Sequence, residues 1–189
     1  VLTDLAPTIL EAASVAVPRS MTGRSLMSLF AGRAQAGRDA AFTTLERHSE
    51  CRAGTLGYPA RAVRTRAHLY IRNFRPERWP AGDPDWPNEA FRDIDGFGSL
   101  SKAYLLEHRD DMAVRPLFTL ACAKRPAEEL YDLRTDPHQL TNLAGRPEHR
   151  RVQQQLAARL RSFMRTTGDP RALKDDDTFD AFEYVRSED

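Results

Sequence analysis

From Pro147 to Thr166 the apolar residues Val152, Leu156, Leu160, Phe163 and Met164 recur at steps of three and four. That spacing lays one apolar stripe along an α-helix, and Gly168 supplies a stop. It predicts the strongest helix in the chain. Near the start, Leu5, Ile9, Leu10 and Ala13 follow the same rhythm behind a Thr3 or Asp4 cap, with Pro7 tolerated in the first turn. Ser25 to Phe30 predicts a short helix and residues 100 to 112 another. Elsewhere the pattern shortens to alternation. Residues 40 to 47, Arg61 to Thr65, His68 to Phe74 and Glu129 to Leu133 carry β-branched, aromatic and alternating apolar types that predict strands. The join at Arg66-Ala67 lacks the Asn-Gly or Asp-Gly of a favoured hairpin turn. Residues 75 to 99, with four prolines, two tryptophans and several Asp and Gly, predict a long loop. The expected fold class is therefore α+β, a small antiparallel sheet packed by the long C-terminal helix.

Composition changes this picture little. The 189 residues, 41% hydrophobic and 29% charged, suffice for one core. Lys+Arg 28 against Asp+Glu 27 gives a formal net charge of +1, which provides no argument for nucleic acid or an anionic membrane. No run approaches the roughly 18 apolar residues of a membrane span. The chain begins without Met and enters a helix start at once, so the natural beginning is expected upstream. Cys51 and Cys122 lie far apart and outside any CxxC pair, which argues against zinc and thioredoxin-type chemistry and leaves a disulfide between them open.

Candidate chemistry concentrates after the first strand. Glu46, Arg47 and His48 bring a carboxylate, a guanidinium and an imidazole together, a set able to bind an anionic or polyhydroxylated ligand. Strand ends are also where chains simply become polar, and both readings stand at this point. Arg61, Arg64, Arg66, Arg72, Arg75 and Arg78 interleave with Tyr70 and Phe74 but match no RNA-binding signature; a charged strand edge is the better reading. Glu128, Asp132 and Asp136 lack the glycine of a calcium-binding loop, and His68, His108, His138 and His149 show no ligand spacing. There is no Gly-x-Ser-x-Gly elbow and no P-loop.

Three segments in order resemble the C-terminal subdomain of the sulfatases, within the alkaline-phosphatase superfamily of α/β enzymes. Residues 3 to 13, continuing through Val17-Pro18 to Gly23-Arg24-Ser25-Leu26, are similar to the family run D-x-x-P-T-I/L-L … P … G-x-S-L. Glu128 to Pro137, ending at Asn142-Leu143, resembles E-L-Y-D-L-x-x-D-P-x-E-x-x-N-L, with Gln139 where Glu is usual. The closing helix fits the one that covers the family's small sheet. Tyr58 to Arg64, with Asn73-Phe74, further resembles the branch containing N-sulfoglucosamine sulfohydrolase, heparan N-sulfatase.

The resemblance implies hydrolysis of sulfate esters or sulfamates on a sulfated sugar, by a formylglycine and a calcium ion housed in an N-terminal catalytic domain. None of that machinery maps onto these residues. Cys51, followed by Arg52-Ala53-Gly54-Thr55, lacks the Pro and Arg of the C/S-x-P-x-R motif, so the chain alone is expected to be inactive. On this resemblance residues 1-36 join the catalytic domain, residues 37-170 form the subdomain and residues 171-189 are an acidic tail. Glu46, Arg47 and His48, with Arg61, are the expected substrate contacts; the expected partners are the chain's own catalytic domain and a sulfated saccharide or other sulfated small molecule. A phosphonate or phosphodiester hydrolase of the same superfamily, or a non-catalytic binding module, remains the alternative. The compartment is not indicated.

Overall fold

Two antiparallel pairings organise the centre of the fold in a computed structural model that describes residues 1–33, 38–47, 50–85, 100–174 and 176–183. The sheet runs β1-β2-β3-β4, with β1 at Ala40–Leu45, β2 at Ala60–Thr65, β3 at His68–Asn73 and β4 at Glu128–Asp132. Val63 pairs with Tyr70 and Tyr70 with Leu130, so these three share one face by the two-residue period. All three are fully or almost fully buried. The buried stripe Leu156, Ala157, Leu160 and Met164 of helix α5 (Arg150–Thr166), which contacts β2 and β3, supplies the other half of this core. Phe163, beside that stripe, stacks on Phe42 of β1 at 3.9 Å between ring centres. A four-stranded sheet packed by one long helix is the α+β arrangement the patterning predicts.

The Thr65–His68 corner replaces the missing Asn-Gly with a hydroxyl: Thr65 Oγ1 accepts the His68 N–H at 2.9 Å and the Ala67 N–H at 3.3 Å. Beyond β4 the motif residues work on the backbone. Asn142 Oδ1 accepts the N–H of Leu130 and of Ala144, both at 2.9 Å, and Asp136 accepts those of Leu140 and Thr141. On the other face of the sheet, Asn73 Nδ2 donates to the buried Glu129 at 2.7 Å.

The helix expected over residues 100 to 112 is shorter, and a second helix that the patterning did not predict follows it. Helix α3 (Leu100–Glu107) ends, and α4 (Arg115–Cys122) starts with Pro116 in its first turn. Val114, Phe118 and Cys122, buried at a step of four, were a readable signal for α4. Of the predicted loop, residues 75–85 have no helix or strand and 86–99 lie outside the described residues. Of the acidic tail, residues 171–174 and 176–183 are described, and the carboxylates of Asp177 and Asp180 turn back on Arg75 and Arg78. Both cysteines are free and buried. No described helix is long and apolar enough to cross a membrane.

Val1–Ala41 and Phe42–Asp189 form two compact units. The first is built around α1 (Leu5–Ala12) and the short α2 (Met27–Phe30), with Asp4 as its anchor. Buried Asp4 accepts the Arg24 N–H at 2.7 Å and the fork of Arg38 at 2.6 and 3.1 Å. Those hydrogen bonds, Arg38's first, hold its carboxyl far below the usual range. Thr8 Oγ1 accepts from the Leu26 N–H at 2.9 Å, and a Cβ on Gly23 would lie 1.9 Å from the Thr3 carbonyl oxygen. Asp4, Thr8 and Gly23 are thus read as motif residues because they tie residues 23–26 to α1. Leu5 and Ile9 remain exposed.

Candidate functional site

Strand β1 delivers Glu46 and Arg47 to the sheet end just after Leu45, next to Arg61 of β2. Arg61 is 4% exposed, and all five of its guanidinium N–H groups are used. Nε and Nη2 donate to Asp169 at 2.6 and 3.1 Å, Nη2 also to Glu46 at 2.5 Å, and Nη1 to the carbonyls of Leu45 and Ala60 at 2.9 and 3.0 Å. Burial alone would lower its pKa, but hydrogen bonds to Asp169 and Glu46 outweigh it and the net direction is up. Asp169 shows the converse: burial pushes it up, the Arg61 and Arg171 hydrogen bonds push it down, and down prevails.

Glu46 is gripped from its other side by Arg171, itself buried. Arg171 Nε lies 2.8 Å from Oε1 and Nη2 lies 2.8 Å from Oε2. The turn carrying Arg171 (Pro170–Ala172) is set by Asp169, whose carboxylate accepts the Arg171 N–H at 3.0 Å. Two guanidiniums and two carboxylates thus form a charge-balanced network, with Glu46 its most accessible member at 24% side-chain exposure. Phe74 lies under three guanidiniums, those of Arg61, Arg72 and Arg171, at 5.5 to 5.9 Å.

Arg47 spans outward. Its Nη1 donates to the Thr55 carbonyl at 3.0 Å and its Nη2 to the Phe182 carbonyl at 2.7 Å, so the tail packs beside the strand end. Asp180 of the same tail accepts the Gly57 N–H and the Arg78 Nη1–H, both at 2.8 Å, and Asp177 takes Arg75 at 2.7 Å. His48 lies outside the described residues. The structure therefore brings Glu46, Arg47 and Arg61 together, and adds Asp169, Arg171 and Asp180. Those three were not readable locally, because each pairs with a residue more than 100 positions away. Among the described residues no group of three or more His, Cys, Asp or Glu is arranged to hold a metal ion.

No family model matches the chain. Two ulvan-active sulfatases of Formosa agariphila are each 26% identical to it, over 171 and 172 residues. Each alignment takes 88% of this chain, against 29% of one relative and 25% of the other, so the chain spans under a third of their length. A solved 2-O GAG sulfatase superposes with a TM-score of 0.56 at 21% identity, over 90% of this chain and 26% of that one. A structure solved with its substrate D-glucosamine-2-N,6-O-disulfate gives 0.53 at 19% identity, over 88% of this chain and 24% of that one. These structures share the fold. The likeness supports the sulfatases at large and does not extend to heparan N-sulfatase in particular, the narrower resemblance drawn from residues 58 to 64. By sequence the chain is similar to part of these sulfatases, and it shares the fold of about a quarter of the solved one.

Proposed function

We propose that the chain serves a longer hydrolase of sulfate esters or sulfamates on a sulfated sugar, and that its strand end at Glu46, Arg47 and His48 contacts the non-reacting part of that sugar. Residues 1-36 would join it to the catalytic domain, its main partner. The observation that carries this reading is the clamp on Glu46: Arg61 and Arg171 fix a partly exposed carboxylate from behind. A side chain fixed before the ligand arrives binds with less loss of conformational entropy. Glu46 would accept from sugar hydroxyls, and Arg47 would donate to sulfate or carboxylate oxygens. Arg61, its donors all taken by the protein, enters this proposal as the residue that positions Glu46.

The names of the relatives are consistent with such a substrate, since they include sulfatases active on ulvan and on a GAG. The described residues do not fit calcium or formylglycine. They offer no metal-binding cluster, and Cys51 is buried without the motif that its conversion needs. In the proposed protein those groups belong to the catalytic domain, and this subdomain adds binding energy from contacts remote from the reacting sulfur.

The test is kinetic, in the longer protein. Arg47→Ala and His48→Ala should each lower kcat/KM on a sulfated sugar by about tenfold or more, the worth of roughly 1.4 kcal/mol, and leave a small aryl sulfate unaffected. Folded variants with parental kcat/KM on the sugar would reduce the cluster to a polar strand end.

A further inference from the structure

A cavity of about 450 Å³ lies between β3 and α5. Ala157, Leu160 and Met164 of the helix and Tyr70 of the strand give it an apolar floor. Its charges are unequal. Arg72, Arg161, Arg165 and Arg171 line it against one carboxylate, Glu128. Arg171 is spent on Glu46, and Arg72 reaches Glu128 at 3.5 Å. Glu128 is further occupied by the Tyr70 hydroxyl at 2.9 Å and by Gln153. Arg161 and Arg165 have no side-chain hydrogen bond or ion pair among the described residues. They stand four residues apart on α5, so they project from the same side of the helix as neighbours. Two like charges held side by side beside a cavity repel each other, and an anion between them relieves that repulsion.

We propose that this cavity binds a pyranose bearing a sulfate or carboxylate, distinct from the Glu46 strand end, with Arg161 and Arg165 taking the anionic group. The volume is within the range of small-ligand sites, and an apolar floor with a few polar groups at the rim suits the carbon face of a sugar ring. Guanidinium forks match the oxygens of a sulfate or carboxylate. The choice of a saccharide over a free anion rests on the proposed function. In a polymeric substrate the site would engage a second sugar unit. Arg171 touches both places, its fork on Glu46 and its plane 5.5 Å from the Phe74 ring that also lines the cavity.

The test titrates the 189-residue chain with a disulfated disaccharide, its uncharged parent and inorganic sulfate, by calorimetry and by amide shifts of β3 and α5. The disulfated sugar should bind and shift both elements. The exposed pair Arg161→Gln/Arg165→Gln should weaken it at least tenfold with the urea midpoint kept, while Arg151→Gln, exposed at the far end of the same helix, should not. No binding by the parent chain, equal loss in Arg151→Gln, or parental affinity in the double variant overturns the proposal. Binding of inorganic sulfate as tight as that of the sugar overturns the saccharide assignment. Arg47→Ala separates this inference from the reading it rests on: it should leave the β3 and α5 shifts in place. Failure of the Arg161/Arg165 pair alongside a kinetic effect of Arg47→Ala would sink the cavity alone.

Discussion

Arg171 and Glu46, 125 residues apart in the chain, meet fork to fork, Nε and Nη2 each 2.8 Å from a different carboxylate oxygen. The contact joins the turn after α5 to the end of β1, and Arg61 closes it from β2. Arg171→Met should therefore loosen the strand end and the tail together. Removing one partner of a buried ion pair costs about 3 to 5 kcal/mol; Glu46 keeps Arg61 and some solvent, so about 2 to 3 kcal/mol is expected here. Urea unfolding measures it, and a loss under 0.5 kcal/mol would show the pair to be ornamental.

Gly23→Ala should damage the first unit selectively. The added Cβ would meet the Thr3 carbonyl at 1.9 Å, a backbone atom that no rotamer change can move. Hydrogen exchange should show lost protection across α1 with β2 and β3 unchanged. Uniform protection in both units would contradict this.

Asp180 links the tail to the loop before β2 through the Gly57 N–H and Arg78. Asp180→Ala leaves both donors short of a partner, at a cost of about 1 to 3 kcal/mol. Limited proteolysis should then cut within residues 176–183 faster than in the parent. An unchanged cleavage rate would mean that the tail is held by Arg47 and Phe182 instead.

Acid should act in two stages. Asp4, Asp169 and Asp177 all have folded pKa values below their unfolded values, so their contribution is complete above about pH 4 and is lost as pH falls through the folded values. His68 has its pKa lowered by burial; Asp132, 3.9 Å away and already held by Arg134, does not offset this. Its unfolded form binds the proton more readily, so stability should fall gently as pH drops below the unfolded value of about 6.5. Urea midpoints from pH 8 to 3 should show the shallow step disappear in His68→Gln and the steep one remain.

The stripe from Val152 to Met164 made α5 legible because it records burial against a single face, whereas β4 showed itself by the apolar Leu130, Tyr131 and Leu133 and is buried on both faces. Helix α4 left its signal at Val114, Phe118 and Cys122, and a single longer helix was read in front of it. The site was legible only in part. Glu46, Arg47 and Arg61 stand out as charges on and after strands, but the burial of Arg61 depends on Asp169, 108 residues away, and no local pattern encodes that pairing. The same holds for Arg171, whose neighbours in sequence read simply as a helix stop.

The most direct measurement is amide hydrogen exchange across residues 44–50 in the longer protein, with and without a saturating sulfated saccharide that the enzyme does not turn over. Contact of the strand end with sugar should slow exchange at Glu46 and Arg47 at least fivefold, and Arg47→Ala should remove much of that protection. Unchanged exchange at residues 46 and 47, with the ligand demonstrably bound in the catalytic domain, would contradict the account.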